Sequence, residues 1–459
     1  MKLRSLLSAG LIALSTASFA QTWTSDSVAM GVGYANDVYY ELKQGATKLQ
    51  PGNDWHLAFQ MTVFGEPNFN AAIRANHAKT GLEVYELTKS VSATIFANLT
   101  GADTVGKTAS SLQLLNNDTS WGTGALYQNR NPADLFSYGW GEYSGPSGNP
   151  PHSVNGACVY LLKTGSGTAF KLWVQKYVST PVDSVHYTFR IAKLDGSTDN
   201  TIKIYRKDAN SNFSDRLFVY YNIDSNTVIN HEPSRHTWDM LFTQYKTLVP
   251  DGAGGFLPYG VTGVLTNQSA EVAEVRMVDV NDPDHLLNYK TYTRTTHIDQ
   301  IGSDWKAYVN PGPSGYYKLA DSTSFFVKTN TDKNYYQVVF TRFDGGAPAG
   351  QGKIVFSKRY LGTAVGVNNV AAASLNAWYV SPNPATNNAS VMIDAKVATP
   401  SARLIVTDMA GRTVLNTSIA IHQGMNAFGF NTSAMPAGMY VVQVAGGDWK
   451  MSTRLVVAH

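Results

Sequence analysis

The chain has 459 residues, of which 15% are charged, and its formal net charge is +3 at pH 7. This weak charge balance, without a Lys/Arg cluster, argues against a nucleic-acid or acidic partner. The length allows two or three domains, and few charges with abundant Gly, Tyr, Phe, Thr and Asn indicate an all-β extracellular protein. The single Cys158 cannot form an internal disulfide and is expected to be a small buried hydrophobe.

Residues 1–20 have the pattern of a secretory signal peptide. Two basic residues precede the apolar run Leu6–Leu14, and residues 18–20 (SFA) form a small-x-small cleavage site. The mature chain is therefore expected to begin at Gln21. No stretch approaches the roughly 18 uncharged apolar residues of a membrane-spanning helix, so no transmembrane segment is predicted.

One sequence pattern then occurs twice. Residues 38–60 and 217–245 each predict an aromatic strand, a turn and a second strand near Trp55 or Trp238. Further blocks recur in the same order: 71–76 with 261–267, 82–86 with 270–274, 140–148 with 305–315, 160–164 with 325–329, and 193–196 with 342–345. Chance explains one such match but not a series, so we predict two tandem modules, residues 22–210 and 211–361.

Each module consists of short alternating segments separated by Gly, Asn, Asp and Pro clusters. This pattern predicts an all-β fold, with a short helix only at Leu112–Leu115. The long loops 116–151 and 276–315 hold many Tyr, Asn and Pro residues, as functional or poorly ordered loops do.

The C-terminal part of the chain is predicted to be a separate domain. Residues 362–378 are small, uncharged and without periodicity, which predicts a linker, and residues 379–459 have the spacing of a small antiparallel sandwich. Its motifs resemble the type A C-terminal sorting domain of the type IX secretion system of Bacteroidota: Ser381–Pro384, Asp408–Arg412, Met435–Tyr440 and Lys450–Val457. The resemblance implies a secreted or cell-surface protein that engages the type IX secretion machinery. The alternative is a generic adhesive sandwich.

Residues Phe218–Tyr245, Trp305–Leu319 and Phe325–Phe356 together resemble the HmuY family of haem-binding surface proteins, and the first module shows the same blocks more faintly. The resemblance implies an all-β fold that clamps haem between loops at one end, without catalysis.

The resemblance also implies where haem ligands should lie. A well-known member of the family holds the iron with two histidines, and the second of these positions is Asn310 here, a poor iron ligand compared with imidazole or thioether. For the first position the loop 280–299 offers His285 and His297, which are the predicted haem ligands, and Met277 is a candidate by position. The alternative is that both histidines are surface residues without a ligand role.

The other polar residues receive structural interpretations. His56 is expected to face solvent or to pack at an edge, and His231 is expected to be a turn residue. The pair Glu83 and Glu86 faces opposite sides of an extended chain, so surface charge is preferred to acid–base chemistry. Asp279–Asp284 offers oxygen ligands for calcium, but without the Gly and the distal Glu of an EF-hand loop.

Aromatic residues crowd the loops around Tyr127, Phe136, Tyr138, Trp140 and Tyr143, outside regular alternation. Such rings can stack on a sugar or on a porphyrin face, and the alternative is that Trp140 and Trp305 close the ends of the two modules.

Patterns of hydrolases and phosphate-binding loops are absent from the sequence, so we predict a non-enzymatic protein. The predicted function is ligand capture at the cell surface, with haem or another tetrapyrrole as the candidate cofactor. The alternative is an adhesin or glycan-binding protein of the same fold that has lost the haem ligands. Predicted partners are the type IX machinery and a small planar ligand or glycan.

Overall fold

The computed structural model describes residues 22–63, 66, 69–134, 136–145, 147–179, 185–276, 279–281, 288–309, 315–320, 322–345, 351–363, 375–446 and 449–458. The chain divides into two compact units, Met1–Thr363 and Ala364–His459, which are described separately. Antiparallel strands dominate both units, which confirms the all-β class.

The first half of unit 1 contains these strands: β1 Thr24–Ala29, β2 Asn36–Glu41, β3 Gly45–Pro51, β4 Leu57–Gln60, β5 Ile73–Ala75, β6 Glu83–Thr88, β7 Gly141–Tyr143, β8 Ser153–Gly156, β9 Val159–Lys163, β10 Ala169–Val178, β11 His186–Lys193 and β12 Asp199–Tyr205. The second half contains these: β13 Phe218–Asn222, β14 Thr227–Ile229, β15 Met240–Pro250, β16 Phe256–Thr266, β17 Glu271–Val275, β18 Lys306–Val309, β19 Tyr316–Leu319, β20 Ser324–Lys328, β21 Asn334–Asp344 and β22 Lys353–Thr363.

Unit 1 contains two β-sandwiches with the same strand order. The inner sandwich has a large sheet, β12-β11-β10-β9-β6, and a small sheet, β14-β13-β4-β5. Strand β8 pairs with the C-terminal end of β10, and β7 pairs with β8. The outer sandwich has the large sheet β1-β22-β21-β20-β17 and the small sheet β3-β2-β15-β16. This strand-for-strand match supports the duplication that the sequence predicts.

The strand pairings nevertheless cross the predicted module boundary. Hairpin β2–β3 pairs with β15, and hairpin β13–β14 pairs with β4, so the first hairpin of each copy completes the small sheet of the other. Strand β1 likewise pairs with β22 at the end of the duplicated region. The two sandwiches are therefore residues 57–229 and residues 24–51 with 240–363, instead of 22–210 and 211–361.

The reason is physical. The short connectors 52–56 and 230–239 carry the chain from one small sheet to the other. The two hairpins also present the same aromatic pattern, Tyr39-Tyr40 and Tyr220-Tyr221, to equivalent partner strands, β15 and β4. A repeat in sequence fixes the repeated unit but leaves open where each domain begins.

Each sandwich has its own core. Phe59, Trp140 and Tyr187 lie in the inner core, whereas Tyr40 and Trp305 lie in the outer one. The two small sheets pack face to face through a third cluster: Tyr39, Ala58, Trp121, Leu217, Phe218, Tyr220, Trp238, Leu241, Leu265 and Ile298. We call this contact the junction, and it joins both sandwiches into one unit.

Two local expectations are wrong. Lys193–Gly196 begins at the last residue of β11, whereas Arg342–Gly345 begins inside β21, which corresponds to β10, so this last block is not structurally equivalent. One helix of unit 1 is α1 (Ala93–Asn98), whose first turn is capped by Ser92 accepting the Ile95 N–H at 3.0 Å. The predicted helix at Leu112–Leu115 overlaps only a 3-10 turn, Ser110–Leu112.

Unit 2 is a small sandwich of two antiparallel sheets, as predicted. Its strands are β23 Leu375–Ser381, β24 Asn388–Ala395, β25 Thr399–Asp408, β26 Thr413–Ile421, β27 Gly424–Asn431, β28 Gly438–Gly446 and β29 Trp449–Val457. They form the sheets β23-β24-β27 and β26-β25-β28-β29 around one apolar core. The predicted linker 362–378 is too long, because β22 ends at Thr363 and β23 begins at Leu375, and residues 364–374 lie outside the described part. Among the described residues no helix has the length and apolar character to cross a membrane.

Candidate functional site

Most of the predicted haem-ligand positions lie outside the described residues. This holds for His285, Asn310 and Met277. His297 is described and exposed, next to Ile298, which is buried in the junction and whose N–H donates to the Thr119 carbonyl at 3.1 Å. The structure thus places one predicted ligand at the protein surface and brings no second predicted ligand beside it among the described residues.

A group of exposed aromatic rings in the outer sandwich lies on a two-stranded ribbon formed by β18 and β19. Tyr308 is 58% exposed and Tyr316 54% exposed, and Tyr308 pairs across the strands with Tyr317 at 5.2 Å between ring centroids. Tyr259 on β16, also 58% exposed, lies near Tyr317. We call Tyr259, Tyr308, Tyr316 and Tyr317 the tyrosine patch.

Buried and partly buried groups contact the base of this ribbon. Tyr317 packs edge-on against Phe343 at 4.7 Å, and the Lys306 ammonium lies 4.4 Å from the centre of the Trp305 ring. The same ammonium donates to the Thr262 carbonyl, which ties the ribbon to β16. Burial lowers the pKa of Lys306 to about 7. The rings are therefore displayed from a fixed base.

The equivalent ribbon of the inner sandwich is not displayed. Strands β7 and β8 occupy the same place after Trp140, but β8 pairs with β10, so this ribbon belongs to the large sheet. Tyr143, the counterpart of Tyr308, is partly buried, stacks on Phe136 at 5.9 Å and hydrogen-bonds to His152 Nδ1 at 2.5 Å. The tyrosine patch thus distinguishes the outer sandwich from the inner one.

A cluster of polar side chains lies at the junction. His231 is buried between two carboxylates, with Nδ1 2.8 Å from Asp54 Oδ1 and Nε2 3.1 Å from Asp37 Oδ2. Burial alone would lower the pKa of His231, but the hydrogen bonds to Asp37 and Asp54 raise it to about 9. The expectation that His231 is a simple turn residue is wrong. Because both ring nitrogens are engaged, His231 offers none to an iron ion.

Next to His231 the junction encloses a cavity of about 70 Å³, lined in part by Trp55, His77 and Tyr220. His77 Nδ1 donates to the Leu82 carbonyl at 2.7 Å, and burial lowers the pKa of His77 to about 4, so the ring is neutral. His77 Nε2 and Trp55 Nε1 are buried without a partner among the described residues. The cavity suits a few water molecules and is too small for a tetrapyrrole.

Sequence reasoning missed a pair of equivalent buried residues. His56 Nδ1 accepts the Ile223 N–H at 3.2 Å, and at the matching position Asp239 accepts the Leu42 N–H at 3.0 Å. Asp239 also accepts the N–H of Asn330 at 2.9 Å. His56 is thus buried, contrary to expectation. One indication of this burial was available in the sequence, because His56 matches Asp239 in the aligned repeat.

The remaining candidates have structural roles. Trp140 and Trp305 are fully buried and donate to the carbonyls of Ala71 and Gly302, both at 3.1 Å, so they complete the two cores. Cys158 is buried as predicted, and burial raises its pKa to about 12.

The acidic candidates do not form a metal site in the part of the chain that the structure covers. Glu83 pairs with Lys163 at 3.2 Å. Of the residues considered as oxygen ligands for calcium, Asp282 and Asp284 lie outside the described residues. Among the described residues no group of three or more His, Cys, Asp or Glu side chains could hold a metal ion.

Two solved structures that the chain matches have low TM-scores. One is the CARDB domain of a Pyrococcus furiosus protein in complex with di-metal ions, at 12% identity, covering 18% of this chain and 92% of that one, with a TM-score of 0.14. Another is a polysaccharide lyase at 10% identity, covering 56% of this chain and 38% of that one, also with a TM-score of 0.14. Scores this low carry no argument about fold or function. No curated protein matches the chain.

The tail gives a specific match. The family model of the secretion system C-terminal sorting domain matches residues 379–458, which are the unit 2 sandwich almost in full. The motifs that the sequence pointed to lie inside this match. Residues 379–458 are therefore a C-terminal sorting domain of the type IX secretion system, and the protein is secreted to the cell surface.

Proposed function

We propose that unit 1 is a non-catalytic binding protein that captures a flat ligand at the cell surface through the tyrosine patch. The observation that carries the proposal is the free-standing β18–β19 ribbon with its exposed rings. A two-stranded ribbon is marginal by itself, and large exposed apolar groups mark interaction sites. Sorting to the cell surface places this patch where an external ligand can reach it.

Haem or another tetrapyrrole is the first candidate ligand. The resemblance of residues 216–361 to the HmuY family favours it, and a flat macrocycle matches a row of aromatic rings. A tyrosine phenol is a known haem-iron ligand, so Tyr308 or Tyr317 can serve where the family has histidine. His297 and His285 are kept as alternative ligands.

A glycan is the second candidate, and it rests on the composition of the patch. The four patch residues carry no imidazole, thioether or thiolate, whereas sugar recognition needs only stacking surfaces and hydroxyl groups. Exposed tyrosines at Tyr259, Tyr308 and Tyr316 supply both.

Hemin titration of the purified mature protein tests the first candidate. We expect a sharpened Soret band, and we expect Tyr308→Ala or Tyr317→Ala to weaken binding by about tenfold, the loss of one good stacking contact. Tyr308→Phe keeps the ring and removes the hydroxyl, so it separates iron ligation from stacking. His297→Ala and His285→Ala test the histidines in the same assay. Tyr379→Ala, at a 51% exposed tyrosine of unit 2, is the matched control.

A spectrum identical to that of free hemin at micromolar protein rejects the tetrapyrrole. A glycan array with the same variants is then the test of the second candidate. If either ligand binds equally well to the Tyr308→Ala and Tyr317→Ala variants, the tyrosine patch is not the binding site.

A further inference from the structure

At one end of the inner sandwich, strands β10, β11, β12 and β13 enclose a hollow of about 210 Å³. Its floor is apolar and consists of Phe170, Ile191 and Ile223, with the ring of Tyr221 beside them. The hollow lies on the sandwich that lacks the tyrosine patch, so it is a separate feature of unit 1.

The matching place in the outer sandwich is filled. The strand registers pair Leu172 with Ile191 and Val338 with Lys358, so Lys358 is the outer counterpart of Ile191. The Lys358 ammonium lies beside the Tyr40 hydroxyl and 3.5 Å from Asp26, and it occupies the interior at that end. The fold therefore accepts a polar group in this space, and the inner copy leaves the space open.

Aromatic residues also cover the outer end. By the same registers Phe170 corresponds to Tyr336 and Lys193 corresponds to Tyr360, and the two tyrosine rings pack edge-on at 5.6 Å. In the inner sandwich a flexible lysine replaces the second ring, which leaves the mouth of the hollow accessible.

Buried neighbours orient the polar rim. The Tyr221 hydroxyl donates to Asn226 Oδ1 at 2.6 Å, which leaves the amide N–H groups of Asn226 for another acceptor. His56 accepts the Ile223 N–H through Nδ1, and burial lowers the pKa of His56, so the neutral ring carries its proton on Nε2. This nitrogen lies 3.6 Å from Asp224 Oδ2, so the carboxylate at the rim has a buried N–H group beside it.

The opposite side of the rim is supplied by Lys193 and Asn200, whose side chains make no hydrogen bond within the described residues. The rim thus offers one ammonium, one carboxylate and two amides around an apolar floor. Formal charges on the rim cancel, which disfavours an ion, and the volume accommodates a single small ring rather than a macrocycle. A ring with one apolar face and several hydroxyl groups matches this arrangement.

We propose that this hollow is a binding site for one sugar residue of a neutral glycan, with the apolar face of the ring on Phe170 and Ile191 and its hydroxyl groups bonded to Lys193, Asn200 and Asp224. The site is independent of the tyrosine patch.

Calorimetric titration of the full mature protein with a panel of neutral monosaccharides and oligosaccharides tests this site. We expect saturable binding of at least one sugar, weakened about tenfold or more by Asp224→Ala and by Asn200→Ala, because each removes a hydrogen bond to a hydroxyl group. Lys193→Ala should act in the same direction, and Lys203→Ala, at an exposed lysine of the same sheet, should not. All four positions are outside the cores, so folding should be retained.

Two outcomes overturn the proposal: no binding across the panel, or binding that the Asp224→Ala and Asn200→Ala variants leave intact. Tyr308→Ala separates this site from the tyrosine patch. If only Tyr308→Ala abolishes sugar binding, the sugar binds at the tyrosine patch and the proposal for the hollow is refuted. If hemin does not bind but the hollow still binds sugar, only the proposed function of the tyrosine patch fails.

Discussion

The inner and outer sandwiches share one strand order, and two of their differences bear on the proposed sites. After Trp140 the ribbon β7–β8 joins the large sheet of the inner sandwich, whereas after Trp305 the ribbon β18–β19 stands free and displays its tyrosines. The second difference lies at the end of the sandwich where β10–β13 enclose the hollow. The inner sandwich keeps this space open, whereas Lys358 fills the matching space in the outer sandwich.

These two differences show how the two copies of a duplicated sandwich can diverge. Both copies keep the residues that hold the strands in register, such as Asn76 and Asn267, whose side-chain amides donate to the equivalent carbonyls of Trp55 and Trp238 at 2.9 and 3.0 Å. The two surface differences above leave these register contacts in place, although the copies also differ at buried positions such as His56 and Asp239. The comparison therefore separates residues that build the sandwich from residues that give each sandwich its surface.

The strongest test of the comparison removes one core tryptophan at a time. Trp140→Ala and Trp305→Ala should each lower the free energy of unfolding by about 4 kcal/mol, since each deletes a fully buried ring and its hydrogen bond. Hydrogen exchange read by peptide should show protection lost first in β9–β11 for Trp140→Ala and in β20–β22 for Trp305→Ala. Equal loss across all strands in both variants would mean that the sandwiches unfold as one body.

The junction between the sandwiches should depend on pH through His231. Its pKa is raised to about 9 in the folded chain from an ordinary value of 6.5. The stabilisation is therefore complete below about pH 6.5 and is lost as the pH rises through 9, a change of about 3 kcal/mol. Urea unfolding between pH 6 and pH 9.5 measures it.

His231→Gln should remove most of this pH dependence, and His236→Gln, at an exposed histidine of the same connector, is the control. A chain whose stability has the same slope between pH 6.5 and 9 with and without His231 would show that the ion pairs with Asp37 and Asp54 do not hold the junction.

The matched pair His56 and Asp239 should differ in its contribution. Asp239→Ala leaves the N–H groups of Leu42, Asn330 and Thr331 without their acceptor, whereas His56→Ala frees only that of Ile223. We expect Asp239→Ala to cost about 2 kcal/mol more than His56→Ala, because each buried unpartnered N–H costs about 1 kcal/mol or more. Thermal unfolding of the two variants, side by side, gives the difference. Equal losses would indicate that the Asn330–Thr331 turn finds other acceptors.

Much of the fold could be read from the sequence, and the reason lies in particular residues. Tyr39-Tyr40 and Tyr220-Tyr221, with Trp55 and Trp238, repeat because equivalent strands need equivalent side chains. The exchange of hairpins could not be read, since the two hairpins carry the same pattern and pairing depends on the path of the connectors in space.

The candidate sites were less predictable. The sequence matched the blocks 140–148 and 305–315 as parts of one repeat, but whether Tyr308 is displayed depends on whether the ribbon pairs with its sheet. The hollow has no sequence signature, because it arises where Ile191 stands in place of Lys358, a difference visible only after the strands are aligned by register.

The smallest expected effect is the most informative about the hollow. Lys358→Ile gives the outer sandwich the inner residue at this position and removes the contacts of the ammonium with Tyr40 and Asp26. Because a partly buried ammonium is itself costly, the net loss of stability should be only about 1 kcal/mol. Chemical denaturation measures it, with Lys353→Ile, at a residue of the same strand, as the control.

A loss well above 3 kcal/mol would mean that Lys358 holds the outer sandwich together instead of filling spare room. A small loss has the opposite meaning. If the outer sandwich tolerates an empty space at this end, the fold does not require it to be filled, and the open space in the inner sandwich needs no structural explanation. The oriented polar rim of Asp224 and Asn226 then becomes the feature that calls for a ligand.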